Sequence, residues 1–565
     1  MARTELTGLL RRIHAAHREA RRTGVPADEI FAQDRLSRRR FLEQTASVGL
    51  TLSAASAGAA LAACASKPMP AATRGPRVVI VGGGLAGVTC AYRLMQAGMP
   101  SQIFDAGGGL GGRTWTLRGF FDQGQIAENG GEFISSEHVA IRKLAAELGL
   151  VLDDLRAWDK LHHAEERYYV HGSRYPVSEM LRDYAAVFPK LERAAAAAGD
   201  TRYNHYTPAG YVLDHTSARD WIAANVPGGI ASRIGWLLDV DATTENGGES
   251  TQQSSLEMIY MLTGLPALNP KGGFWLVGTD ERYRVRGGND LLITRMARKL
   301  TAVSVNVGTR LEALRRRSDG SLQCTFSNPS RTFDVSADHV VLALPFATLR
   351  DCDLSRAAFS PVKMAAISRL PMGTNTKLHV QFNKRSWLAT GGAASYGDTG
   401  YQQSWEDTRA QDGAAGVLVN YTGGSVGASF DSPSFAPASP AVVRRFLSQI
   451  EPVLPGVSAG WNGKAYLDNW TKDRWHRGSY SYWGVGDCTA FVGIEPVRQG
   501  NVHFCGEHAS LQFGGFMNGA VETAEAAAVE VIHDAAGAKA AASAQAIAAA
   551  RALAGARPQE AGTTC

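Results

Sequence analysis

The sequence predicts an α/β fold in which a Rossmann-like domain has a second, α+β domain threaded through it. Three observations carry this. Arg77-Val-Val-Ile-Val81 is a β-branched run of the kind that forms a strand buried on both faces, and Gly82-Gly83-Gly84-Leu85-Ala86-Gly87 comes directly after it. An apolar helical stretch at 88–97 and a second strand-like run, Ser101-Gln-Ile-Phe104, complete a βαβ unit that ends in Asp105. Strand-like runs return far downstream, at Val303-Ser-Val-Asn-Val307, Asp338-His-Val-Val-Leu-Ala-Leu-Pro345 and Val502-His-Phe-Cys505. Between them, about 138–280 and 351–490, amphipathic helices (138–150, 441–450) alternate with strand-like runs, the pattern of one domain inserted into another.

Composition agrees. The 565 residues are 45% apolar and 20% charged, enough for two to four domains at roughly 100–200 residues each. A disulfide miniprotein, a collagen and a wholly disordered chain are excluded. The seven cysteines (64, 90, 324, 352, 488, 505 and 565) show no CxxC or Cys/His zinc spacing, so no metal site is expected and the thiols read as buried apolar residues.

The net charge of +5 sits mostly at the front, where residues 1–63 hold ten Arg against six acids. A basic patch for nucleic acid therefore has no support in the body of the chain. Ser37-Arg38-Arg39-Arg40-Phe41-Leu42 resembles the twin-arginine export consensus, and the uncharged Ala/Ser/Gly-rich stretch after it is too polar for a membrane span. Leu61-Ala62-Ala63-Cys64 resembles a lipobox, which offers Cys64 as a lipid anchor; a soluble product cut at a nearby small residue is the alternative. This predicts an export label at 1–63, a linker at 64–76 and a periplasmic protein handled by the twin-arginine machinery, which carries folded cargo. The stretch before Ser37 is long for such a label.

The glycine turn has a chemical meaning. Gly82, Gly84 and Gly87 permit a tight turn, close approach of a pyrophosphate and close seating of the helix, while Leu85 and Ala86 begin the helix whose N-terminus faces the phosphates. Asp105, 23 residues after Gly82, is placed to bind an adenosine ribose. The unit is predicted to bind a dinucleotide.

Which dinucleotide it binds is decided further along the chain. Gly111-Gly112-Arg113-Thr114, Glu128-Asn129-Gly130-Gly131-Glu132-Phe133-Ile134, Val285-Arg286-Gly287-Gly288, Leu311-Glu-Ala-Leu314, Gly506-Glu507-His508 and Gly515-Phe516-Met517-Asn518-Gly519-Ala520 occur in an order and spacing that resembles the flavin-containing amine oxidase family over more than 430 residues. The resemblance implies FAD, with Gly112 and Arg113 on the pyrophosphate, Gly130, Gly131, Glu132 and Leu311 as further contacts, Gly506 and Glu507 at the ribityl chain, and amides near Phe516 and Met517 facing the flavin ring. It implies an FAD-binding domain from 77–137, 281–350 and 491–535, a substrate-binding domain from 138–280 and 351–490, and an Ala-rich tail at 536–565 without assigned function. Family members with covalently attached flavin carry Cys where this chain has Ser479, so non-covalent FAD is expected.

The resemblance also assigns the chemistry. In Pro371-Met-Gly-Thr-Asn-Thr-Lys377-Leu-His-Val-Gln-Phe382, period-two alternation puts Lys377, His379 and Gln381 opposite Leu378, Val380 and Phe382. Lys377 matches the family Lys that holds a water against the flavin. Trp470 and Arg477-Gly478-Ser479-Tyr480 match one wall of an aromatic cage, with Phe516 on the opposite wall.

Oxidative deamination of a primary amine or polyamine by molecular oxygen, giving an imine or carbonyl product, ammonia or an amine, and hydrogen peroxide, is the expected reaction. Many amino-acid oxidases of the family carry an Arg for the substrate carboxylate where this chain reads Gly130-Gly131-Glu132-Phe133-Ile134-Ser135; Glu132 could instead meet a cationic group. A similar Gly-Gly-Glu-Phe-Ile stretch also resembles L-amino-acid oxidases, which keeps that reading open. An amine dehydrogenase using an electron carrier, a desaturase or porphyrinogen-type flavoprotein and a non-catalytic exported flavoprotein are the other competitors. Gly423-Gly-Ser425-Val-Gly427 matches a nucleophile elbow in letters, but the helix such an elbow requires is not expected, because 429–440 is Pro/Ser-rich. Oligomeric state is left open, a homodimer included.

Overall fold

The computed structural model describes residues 5–33, 75–263 and 280–555. The twin-arginine motif and Cys64 lie outside these residues.

A five-stranded parallel sheet forms the first layer, in the order Val502–Phe504, His339–Leu342, Val78–Val81, Ser101–Phe104, Ser304–Asn306. Its central strand is buried on both faces, which is why it reads as an unbroken β-branched run. Val78 and Ile80 pack into a cluster with the helices Leu85–Gln96 and Met517–Gly555, while Val79 and Val81 face a cluster that includes Leu311, Leu322 and Phe326. Those last residues belong to a four-stranded sheet, Thr332–Ala337, Leu322–Ser327, Arg310–Arg316 and Asp353–Arg356, covering the opposite face.

The second layer is an eight-stranded, mostly antiparallel sheet in the order Phe435–Pro437, Trp461–Asn469, Thr376–Phe382, Gly416–Thr422, Gln402–Glu406, Gly392–Gly397, Glu165–Val170, Ser173–Arg174. Strands from both sides of the Rossmann-like segment 281–350 meet in it. All seven residues of Thr376–Phe382 are buried. Leu378, Val380 and Phe382 pack against the helix Pro440–Ile450, whose N-terminus is capped by Ser439 and started by Pro440. Lys377, His379 and Gln381 face the loop that descends from the first layer: Asp122 N donates to Gln381 Oε1 at 2.9 Å.

Four regions differ from the sequence reading or add to it. Residues 177–263 form a helical lobe of six helices. The stretch ahead of the export-like motif is folded onto that lobe as a helix, Glu5–Thr23, because Leu6, Leu9, Leu10 and Ile13 recur at helical spacing on one buried face. Within the Ala-rich tail, 536–555 continue the last helix, Met517–Gly555, without interruption, as befits a stretch dominated by the best helix former. A short helix, Gly424–Ala428, also comes after the strand Gly416–Thr422 where none was expected; Ser425 is exposed on it and its amide donates to Glu249 Oε1, so it offers no nucleophile elbow facing a cleft.

Candidate active site

The glycine turn is built by close approach. A Cβ on Gly82, whose φ is +104°, would lie 2.6 Å from the carbonyl oxygen of Ala343, and one on Gly87 would lie 1.9 Å from that of Gly82. Gly87 therefore seats the helix on the turn. A Cβ on Gly84 would meet nothing closer than 3.9 Å, and this face opens into a cleft of about 590 Å³. Asp105 closes the turn from the next strand, accepting from Gly83 N at 2.6 Å and Gly107 N at 2.7 Å.

Of the residues assigned from sequence, Gly82, Gly84, Leu85, Ala86, Asp105, Gly112, Arg113 and Leu311 line this cleft. So do Gly506, Glu507, Tyr480, Phe516 and Met517. Arg113 donates to Glu507 Oε1 at 2.7 Å and to the carbonyl of Ser479 at 2.8 Å. Glu507 also accepts from Ser481 Oγ and from Gly515 N, both at 2.9 Å. Burial raises its pKa, but Arg113, His508 and these hydrogen bonds outweigh it and hold the carboxyl at about 2, so it is an anion throughout the neutral range. Burial lowers His508 to about 4, leaving a neutral imidazole.

The remaining assigned residues sit behind the wall. Gly130, Gly131 and Glu132 do not line the cleft; Gly131 N donates to Arg113 O at 2.9 Å, and a Cβ on Gly130 would lie 1.8 Å from that same oxygen. These glycines let two loops touch. Glu132 is fully buried and accepts from Lys377 Nζ at 2.7 Å and Trp405 Nε1 at 2.8 Å, so it is neither a surface acid nor a group that reaches a substrate.

Lys377 is likewise placed differently from the expectation. Its ammonium has three hydrogens, and Glu132 Oε2, Glu128 O at 2.8 Å and Gly130 O at 3.0 Å take all three. In this arrangement no donor is left for a water. Trp470 is also withdrawn from the cleft: its Nε1 donates to Asn129 O at 2.9 Å and its ring meets Phe435 and His476 edge to face. It braces the 128–132 loop.

Around Lys377 lies a dry layer of charge. His379 Nε2 is 2.8 Å from Asp468 Oδ2 and its Nδ1 is 3.3 Å from Asp407 Oδ2, while Arg284 pairs with Asp407 at 2.8 Å. Burial lowers the His379 pKa, but the two aspartates overcome it and raise it to about 9. Burial lifts Glu128 to about 8.

The aromatic end of the cleft contains groups that no sequence motif announced. Tyr480 donates to the carbonyl of Glu245, and its hydroxyl is 2.9 Å from that of Tyr421. Burial, Tyr480, and the carboxylates of Glu245 and Glu281 keep Tyr421 protonated. Tyr421 could have been found, since it is the cross-strand partner of Lys377; Glu245 is brought in by a helix, Arg233–Asn246, remote in sequence. Phe516 packs edge to face on His138, ring centroids 4.7 Å apart. Ser479 is buried and donates to Asn375 Oδ1 at 2.6 Å, with no thiol to form a flavin bond. Away from the cleft, His339, His503 and Asp534 come close enough to hold a metal ion, but His339 Nδ1 and His503 Nε2 lie at hydrogen-bond distance, 3.2 Å, and Glu530 holds the other nitrogen of His503.

Residues 85–532 match the family model described as flavin containing amine oxidoreductase. The chain belongs to the flavin-containing amine oxidoreductase family. Relatives in this family are distant: a flavin-dependent L-tryptophan oxidase of Lentzea aerocolonigenes is 23% identical, over 80% of this chain and 97% of that protein. The flavin-containing amine oxidase A of Bos taurus is 22% identical, over 81% of this chain and 85% of that protein. The solved structure of cyclohexylamine oxidase from Brevibacterium oxydans shares the fold, with a TM-score of 0.68 at 21% identity over 81% of this chain and 99% of that one. The family's FAD fits the cleft, because the open face of Gly84, the Arg113 fork and the anionic Glu507 are the donor and acceptor set that a pyrophosphate and a polyol require. The protein is an FAD-dependent amine oxidase.

Proposed function

We propose that the substrate is a simple amine or polyamine and that molecular oxygen is the acceptor. The observation that carries this is the charge at the aromatic end: the Tyr421 hydroxyl, 2.9 Å from that of Tyr480, lies within the field of the buried Glu245 and Glu281 carboxyls. Carboxyls buried behind these tyrosines, outside the cleft lining, favour a cationic group over a carboxylate at this end. Tyr480 and Phe516 orient the amine, and the hydroxyl of Tyr480 is pinned by Glu245 O and Tyr421. FAD supplies the two-electron acceptor through which an amine, oxygen and water become a carbonyl compound, ammonia or a smaller amine, and hydrogen peroxide. The chain's own contribution is orientation, exclusion of water and a field that steers the amine inward.

Anaerobic mixing with monoamines, polyamines and L-amino acids tests the reading: amines should bleach the flavin absorbance. Bleaching by L-amino acids alone transfers the assignment to the L-amino-acid oxidase alternative, for which the Gly-Gly-Glu-Phe-Ile stretch speaks. A peroxide assay beside dye reduction separates an oxidase from a dehydrogenase, and a flavin that no compound bleaches defeats the enzyme reading. We further propose periplasmic residence after twin-arginine export, with Cys64 as the site of a lipid anchor; fractionation and mass spectrometry of the native protein test this.

A further inference from the structure

We infer that the segment ahead of the export-like motif is a working part of the mature enzyme: residues 5–33 remain bound to the substrate-binding domain as an intrinsic subunit, even where the chain is cut between them and the body. This goes beyond the amine-oxidase reading and stands without it.

An address label that is read and discarded needs no contacts with its cargo. Here Leu6, Leu9, Leu10 and Ile13 are at most 2% exposed, and Phe31 joins the same core. Their partners include Tyr184 and Phe188. The polar contacts are equally specific. Leu6 N donates to Tyr396 Oη at 3.0 Å, and Thr7 Oγ1 reaches Asp241 Oδ1 at 2.8 Å and Glu245 Oε2 at 3.1 Å. His14 bridges Tyr184 Oη at 3.1 Å and Glu192 Oε1 at 2.8 Å, and Arg18 donates to Glu192 and to Thr263 O at 3.0 Å.

Two of these acceptors, Asp241 and Glu245, are buried carboxyls on the helix Arg233–Asn246, and Arg11 lies within the field of Glu245. Lifting the N-terminal helix away would strip the two carboxyls of the Thr7 hydroxyl they share and of their cover. The effect reaches the cleft, because the carbonyl of Glu245 accepts from Tyr480. Scission between residues 33 and 75 would therefore leave a two-chain enzyme whose smaller chain fills a groove shaped for it.

The experiment uses full-length, flavin-loaded protein carrying a site-specific protease sequence at 50–56. After cutting, gel filtration in high salt should show the N-terminal fragment eluting one-to-one with the body, with flavin content unchanged and a Tm shift under about 2 °C. The same cut in Leu10→Asp should release the fragment. Release from the cut wild type, with the body keeping its flavin and Tm, overturns the inference. Mass spectrometry of enzyme isolated from its native envelope fraction is the second measurement: a flavin-bearing body beginning near Cys64 without any peptide from residues 5–33 also overturns it.

Discussion

Two ion pairs lie close together and serve opposite ends. Arg113 and Glu507 meet at 2.7 Å with side chains 17% and 7% exposed, on the wall of the cleft. Lys377 and Glu132 meet at the same distance with side chains 2% and 0% exposed, behind the wall. The cleft pair leaves guanidinium hydrogens and carboxylate lone pairs for a ligand. The buried pair has exhausted Lys377's donors on Glu132 and two carbonyls. A charge prepared for binding is partly wet and partly unsatisfied, whereas a charge that holds a fold is dry and fully partnered.

Changes beneath the cleft test this contrast most severely. Gly87→Ala forces a methyl into the carbonyl of Gly82, and the expected product binds no flavin, read as loss of absorbance near 450 nm in whatever protein folds. Lys377→Met leaves Glu132 buried without its cation and should cost about 3–5 kcal/mol in denaturant unfolding. The family role adds slower flavin turnover without FAD release. In Lys377→Met with Glu132→Gln most of the stability should return. If turnover returns too, Lys377 acts only through the loop; if single-variant kinetics are unchanged, any part in turnover is gone.

The pH dependence comes from the same dry layer. The His379 pKa is about 9 in the folded protein against 6.5 when unfolded, so its contribution is complete below pH 6.5 and fades as pH rises to 9. That loss amounts to ~3 kcal/mol. His379→Gln should flatten the stability profile across this window. His508 acts with the opposite sense: with a folded pKa of about 4, its neutral burial costs stability as pH falls from 6.5 to 4.

At the cleft, Arg113→Lys exchanges a fork for a point charge and should weaken FAD about tenfold, measured by flavin titration of apoprotein, with little effect on unfolding. Tyr480→Phe removes one hydroxyl, and its effect should be the smallest, about 1 kcal/mol in kcat/KM for an amine.

Legibility in the sequence divides along the same line. The turn from Val78 to Asp105 is local, and each of its residues has a reason that survives without the rest of the chain. The period-two pattern of Thr376–Phe382 correctly separates Lys377 from Leu378. The groups facing Lys377 were not legible, because Glu132 and Trp405 come from separate strands and loops and pair only when the two layers close. Glu245 lacks any local signature, and the N-terminal helix was hidden by the export-like motif beside it. An apolar stripe at 6, 9, 10 and 13 was visible, but its partners were not.

The interleaving of the sheets fixes when this molecule can become itself. Glu165–Val170 waits for Gly392–Gly397, and the parallel sheet is closed by Val502–Phe504, the last strand among the described residues, just before Glu507. The eight-stranded sheet can close once Trp461–Asn469 is made, but the flavin cleft waits for Val502–Phe504 and Glu507. At about 5–20 residues per second the wait from the first strand of the parallel sheet to the last is of the order of a minute. Late flavin capture is thus written into the strand order.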